Sequence, residues 1–196
     1  MGQRAGLLRR SPRVGQRPAD DARVAQLTIF RTDLGWFGLW GNGENVAALS
    51  IGHESPDEVR RACPLPSDNE HDTARVEECD WHPALRRRLE QFARGIAVDF
   101  ADVEVSLPPL SVFQQRVVDE TRRIGYGETV TYGVLAERAG YPGAARAVGS
   151  VMSANRLPII IPCHRVIAAG GRLGGFSAPS GISLKQTMLD LEARIR

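Results

Sequence analysis

In the second half of the chain, Gly125 and Gly140, with Pro142 just behind, cut the sequence into helices too short for a long bundle. Ser111 is placed to cap the first. Its Phe113, Val117, Thr121 and Ile124 share one face, and Gly125 stops it. Thr131 is placed to cap the second, YGVLAERAG, which Gly140 ends, and Pro142 opens a third, AARAVGSVMSA. Two short helices joined by a tight glycine-containing turn form a helix-turn-helix. A β-branched run, Ile159 to Ile161, then leads into Pro162-Cys163-His164, and the glycine-rich segment GGRLGGF follows. Ser183 is placed to cap a last helix carrying Leu184, Met188, Leu191 and Ile195 on one face.

The first half has another rhythm. VAQLTIF, GWFGLW and NVAALSI are short apolar or alternating runs separated by Thr32-Asp33 and by Gly41-Asn42-Gly43, which predicts a three-stranded antiparallel meander. Residues 52–80 are acidic, contain Pro64 and Pro66 and lack a period, so they read as a long surface loop with a short helix around Val59. Pro83 opens a helix whose Leu85, Leu89 and Phe92 point one way, and Gly95 ends it. Leu107-Pro108-Pro109 reads as a linker. The expected organisation is a disordered tail over 1–23, an N-terminal α/β domain over 24–105 and a mostly helical C-terminal domain over 106–196.

Charge separates along the same lines. Residues 1–25 carry six Arg against two Asp. Residues 26–110 carry eight Arg against fifteen acids, and residues 111–196 carry ten Arg and one Lys against six acids. A basic second half is what phosphate contacts need, although a solvated face has the same composition. No apolar run approaches the length of a membrane span, and the Arg-rich start lacks the apolar centre of a secretory signal. Three cysteines without a C-x-x-C pair exclude a disulfide framework and point to a reducing compartment, cytoplasmic or nuclear. Cys63, His71, Cys79 and His82 fit no compact zinc spacing, so no metal is expected.

Cys163 is the residue with the clearest chemical context. It stands beside a histidine and an arginine, after an apolar run and a proline. A nucleophilic cysteine must become a thiolate, which a base or cationic neighbours supply. A buried inert thiol has the same local sequence, and adjacency along the chain does not establish contact in space.

The segment IPCHRVIAAGGRLGGF resembles the active-site signature of the O6-alkylguanine-DNA alkyltransferases, and the resemblance runs from about Phe113 to Glu192 with RAVG upstream of the cysteine. It implies a ribonuclease-H-like N-terminal domain and a winged helix-turn-helix C-terminal domain carrying the active site. It implies a DNA repair protein that rotates O6-alkylguanine out of the duplex and transfers the alkyl group irreversibly to its own cysteine, once per molecule and without a cofactor. By this resemblance Cys163 accepts the alkyl group, His164 deprotonates it through a water, Glu192 orients His164, and Tyr132 reaches the guanine N3. Ser177 contacts O6, the Val166 carbonyl accepts from the exocyclic amine, and Asn155 ties the recognition helix to the active-site strand. Arg146 fills the space of the rotated base, on a helix start made slim by Ala144, Ala145, Ala147 and Gly149, with Thr131 also at the DNA. The partner is double-stranded DNA, entered through the minor groove by a monomer, with no membrane involved.

The sequence departs from the family in two places. Arg156 follows Asn155 where a proline is usual, and Phe176-Ser177-Ala178-Pro179-Ser180-Gly181 replaces a tyrosine-led loop, with extra length before Lys185. Three rivals remain at this stage: a lesion-binding alkyltransferase-like protein, a DNA-binding regulator that senses alkylation, and a cysteine hydrolase.

Overall fold

The computed structural model describes residues 25–62 and 76–194. The expectations for the 1–23 tail, Cys63, Pro64, Pro66, His71 and Ile195 therefore lie outside the described residues. The meander forms as the alternation predicts: β1 (Ala25–Thr32), β2 (Gly35–Asn42) and β3 (Asn45–His53) pair antiparallel in sequence order. At the first turn the Thr32 hydroxyl donates to the Gly35 carbonyl at 2.9 Å and accepts from the Leu34 amide at 3.1 Å.

The stretch 52–80 contains the short helix expected around Val59, but also strand residues that its composition does not predict. It holds the end of β3, helix α1 (Pro56–Arg61) and a fourth strand, β4 (Val76–Glu78), which pairs parallel to β1. The sheet order is β3-β2-β1-β4, so the sheet is mixed. β4 is three residues long and two of them are glutamates, so no alternation marks it. Tertiary partners hold it: Arg60 donates to both carboxylate oxygens of Glu78, at 3.0 and 2.9 Å, and the Cys79 amide donates to the Leu27 carbonyl at 2.9 Å.

One face of the sheet, through Leu27, Trp40 and Ala48, packs on Val59 of α1. The other face, through Phe37, Leu39, Leu49 and Ile51, packs on Leu85, Leu89 and Phe92 of α2 (Pro83–Ala93). That second cluster continues into Leu157, Ile159, Ile160, Ile161, Leu184 and Met188, so the sheet and the C-terminal half share one core. At Gly52 (φ +76) β3 bulges, and a Cβ there would stand 2.5 Å from Leu184 Cδ2; glycine is what lets the last helix seat on the sheet.

The second half contains α3 (Val112–Arg122), α4 (Tyr132–Arg138), α5 (Ala145–Ser153) and α6 (Gly181–Ala193). Ser111 forms a full capping box with Gln114, and the Thr131 hydroxyl caps α4 through the Val134 amide. Two starts differ from the expectation. Pro142 does not open α5; Gly143 in the left-handed region (φ +85) interrupts the backbone, and the helix begins at Ala145. Ser183 does not cap α6, which starts earlier, at Gly181; the Ser183 hydroxyl donates back to the Ser180 carbonyl at 2.5 Å. A short parallel pair, β5 (Val130–Thr131) with β6 (Val166–Ile167), joins the start of α4 to the segment after Cys163. No described helix is long and apolar enough to cross a membrane.

Candidate active site

The isoleucine run before Cys163 is a buried double turn rather than a strand. Ile160 N donates to Pro158 O at 2.9 Å around Ile159, whose φ is +72, a rare conformation for a β-branched residue. Cys163 N then donates to Ile161 O at 2.7 Å around Pro162 (φ −76, ψ 62), an inverse γ-turn. Packing of all three isoleucines in the shared core holds this backbone against strain of order 1–3 kcal/mol. The result delivers Cys163 at the start of a 3-10 turn, Cys163–Arg165, beneath α5.

Asn155, just past α5, fixes that turn. Its Oδ1 accepts from Leu157 N at 3.0 Å, and its Nδ2 donates to Ile161 O at 2.9 Å and to Cys163 Sγ at 3.1 Å. Burial pushes the Cys163 thiol pKa up, against the pull of the Asn155 amide, the Lys185 ammonium and nearby backbone amides. A free-standing thiolate is thus disfavoured, and the proton needs a local acceptor.

His164 is fully buried behind the cysteine, with its Nε2 2.8 Å from Glu192 Oε1. Burial lowers its pKa, so the ring is neutral; the carboxylate can only accept, so Nε2 carries the hydrogen and Nδ1 the lone pair. Nδ1 has no hydrogen-bond partner among the described residues. Burial would raise the Glu192 pKa, but hydrogen bonds from His164 and Arg165 outweigh it and hold the carboxyl at about 2. Arg165 donates to Glu192 through Nε at 3.0 Å and Nη2 at 2.9 Å and to Ile124 O at 2.7 Å, while Gly127 N donates to Glu192 Oε2 at 2.8 Å.

Above the thiol opens a cavity of about 620 Å3, within the range of small-ligand sites. Thr131, Tyr132, Ala145, Arg146, Gly149, Cys163 and Ser177 all line it. Burial, with Cys163 beside it, raises the Tyr132 pKa and keeps the phenol protonated. Its ring lies against Gly174 (φ +72), where a Cβ would come within 3.0 Å of the ring and hydroxyl. Apart from Ser177, the remaining expected site residues stand outside this lining. Asn155, His164 and Glu192 support Cys163 from behind, and Ala144 and Ala147 are outside the lining. Ser177 is exposed, with its hydroxyl donating to Ser153 O at 3.1 Å. Val166 O is buried and accepts from Lys185 Nζ at 2.6 Å.

Two charged residues of the site were not singled out from the sequence. Arg165 clamps the carboxylate that holds His164. Lys185 is buried, donates to Val166 O and Leu173 O at 2.6 Å each, and has its pKa lowered to about 8 by burial. Its standing as the only lysine among twenty-five basic residues was the one available signal.

The site defines a protein with one buried, base-supported cysteine at the floor of a cavity walled by paired short helices. Residues 112–194 match the family described as 6-O-methylguanine DNA methyltransferase, DNA binding domain. A methylated-DNA–protein-cysteine methyltransferase of Mycolicibacterium paratuberculosis is 46% identical over 107 residues, 55% of this chain and 62% of that protein. One of Methanosarcina acetivorans is 41% identical over 60% of this chain and 72% of its own. The crystal structure of Mycobacterium tuberculosis OGT in complex with DNA superposes with a TM-score of 0.69 at 32% identity, covering 86% of this chain and 93% of that one. The chain belongs to the methylated-DNA–protein-cysteine methyltransferase family.

Proposed function

We propose that the protein repairs DNA by transferring the alkyl group of O6-alkylguanine to Cys163. The observation that carries this reading is Cys163 at the floor of the cavity, backed by a neutral His164 whose Nε2 is held by Glu192 and whose Nδ1 lone pair is unclaimed by the described residues. A base inside a duplex must be rotated out to reach such a floor. The thiol proton passes to His164 Nδ1 through a bridging water, and Glu192 with Arg165 stabilises the imidazolium. Sγ attacks the alkyl carbon opposite O6, so the S–C bond forms as the C–O6 bond breaks. The bond pair enters the guanine ring, whose N3 takes the Tyr132 proton. The proton on His164 balances it until solvent restores the phenol. The thioether is stable, so one protein molecule acts once, with no cofactor.

On this reading residues 106–196 are a winged helix-turn-helix that enters the minor groove with α5, and residues 24–105 are a ribonuclease-H-like support. Exposed Arg146 fills the place of the rotated base, and the small residues Ala144, Ala145, Ala147 and Gly149 let the helix approach closely. Ser177 and Val166 O contact the guanine edge, although each must share or release its present partner. The protein works as a monomer in the reducing compartment that holds the DNA.

The test is intact-protein and peptide mass spectrometry after mixing with a duplex containing O6-methylguanine. The expected result is one methyl per protein, on Cys163. Tight binding of the lesion without a mass change identifies a lesion-binding protein instead, and catalytic turnover excludes single use.

A further inference from the structure

A cavity of about 540 Å3 borders Pro162 and Arg165 but not Cys163, and among the described residues it shares no wall with the cavity above the thiol. Val98, Phe100 and Arg122 form other parts of its wall, and Tyr126 stands in it beside Arg165. Arg165 is 6% exposed, and its guanidinium is held in its plane by the Glu192 carboxylate and the Ile124 carbonyl. In-plane hydrogen bonds leave the two faces of a guanidinium uncovered. Tyr126 takes one of them: its ring centroid lies 5.6 Å from Arg165 Cζ, within cation–π reach.

Tyr126 is itself fixed from two directions. Its hydroxyl donates to Gly95 O at 3.0 Å, just past α2, and its ring meets Phe92 of α2 edge-to-face at 6.2 Å. Phe92 in turn meets the His164 imidazole edge-to-face at 5.8 Å. The chain neighbours of Tyr126 grip the same buried pair, since Ile124 O accepts from Arg165 at 2.7 Å and Gly127 N donates to Glu192 Oε2 at 2.8 Å.

We infer that Tyr126 is a positioning residue for the alkyl transfer: its ring keeps solvent in the back cavity off the Arg165–Glu192 pair and, with Phe92, holds the His164 imidazole in place. Without the ring, its volume would join the cavity, and water there would compete for the guanidinium donors and the carboxylate oxygens. Glu192 would then hold His164 less firmly, and the base would lose its alignment. Tyr126 is not among the residues lining the cavity above Cys163, so lesion binding is left unaffected. This rests on the proposed alkyl transfer.

The test is single-turnover methyl transfer from a duplex containing O6-methylguanine, by the wild type, Tyr126→Leu, Tyr126→Met and Tyr126→Phe, with the maximal rate separated from the half-saturating DNA concentration. Tyr126 is half-buried at a cavity, so the ringless variants are expected to fold, which thermal melts report. Tyr126→Leu and Tyr126→Met should lower the maximal rate about tenfold, the scale of a displaced catalytic group, with half-saturation within about twofold of wild type. Tyr126→Phe keeps the ring face and loses only the bond to Gly95, so it should melt at a lower temperature yet keep the maximal rate within about twofold. A carbon-13 NMR titration of the Glu192 carboxyl reads the pair without DNA: protonation should move to higher pH in Tyr126→Leu and stay in place in Tyr126→Phe. A wild-type maximal rate in a folded ringless variant overturns the positioning role. So does a loss in Tyr126→Phe as large as theirs, which assigns the effect to the hydroxyl tie. Failure of both ringless variants to fold also overturns it, because Tyr126 would then serve the core. Absence of methyl transfer from the wild type fails the proposed function itself, while the Glu192 titration still decides the role of Tyr126.

Discussion

At the scale of the residue, the buried charges Arg165, Lys185 and Glu192 and the neutral His164 are the most informative groups. Glu192 has a folded pKa of about 2, below the ordinary carboxylate value, so its stabilisation is complete above roughly pH 4.5. It is lost as pH falls from there toward 2. Replacing Glu192 with Gln leaves Arg165 with a neutral partner and is expected to cost about 3–5 kcal/mol in denaturant melts at neutral pH. The deficit against wild type should shrink as the melts are repeated at lower pH. Alkyl transfer by the same variant should fall at neutral pH and recover in part at higher pH, since the acceptor thiol is intact. At Lys185, depression of the pKa to about 8 means that deprotonation begins just above neutrality. Lys185→Met removes the hydrogen bonds to the Val166 and Leu173 carbonyls and, among the described residues, the only cation acting directly on the thiol. The Cys163 thiol pKa should then rise, measurable as a shift to higher pH in its alkylation by a small haloacetamide. An unshifted profile would confine Lys185 to holding Val166 and Leu173 in place.

At the scale of the element, α5 has two duties with different tolerances. Val148 and Met152 bury one side of it against α3 and α4, while Arg146 and Gly149 face the cavity. A Cβ at Gly149 would meet nothing within 4 Å, and its backbone is ordinary helix. Gly149→Leu should therefore raise stability by up to about 1 kcal/mol through helix propensity, yet weaken lesion binding by filling the approach. Opposite signs in a thermal melt and a DNA titration would separate the two duties; equal losses would show that Gly149 serves packing. Arg146→Ala should slow transfer from duplex DNA far more than transfer from a free base analogue, because only the duplex has a vacated stack to fill.

At the scale of the whole molecule, charge and core divide differently. The second half holds eleven basic residues against six acids, and the intervening first-half stretch eight against fifteen. DNA affinity should accordingly decrease steeply with salt, and an affinity flat in salt would contradict a phosphate-tracking surface. The core does not respect that division. Leu157, Ile159, Ile160, Ile161, Leu184 and Met188 pack against Phe37, Leu39, Leu49 and Leu89 in one cluster. Residues 106–196 alone would expose this surface, so cooperative unfolding is expected for the full chain and lost for the isolated half.

What the sequence determined by itself is local or covalent. Ser111 and Thr131 caps, the stops at Gly95 and Gly140, the period-two meander and the Cys163-His164 pair all act within a few residues, where propensity and hydrogen-bond chemistry are legible. Tertiary structure decided the rest. β4 carries no apolar rhythm and exists because β1 and Arg60 are beside it. The isoleucine run is β-branched, a composition that favours extended backbone, yet Ile159 is bent into a positive φ because burial of three side chains outweighs its local cost. The grip of Arg165 and His164 on Glu192, twenty-seven and twenty-eight residues further along the chain, depends on where α6 returns over the sheet. Pairing across such distances leaves no periodic trace in a sequence, because the energy that enforces it is collected only when the whole core closes.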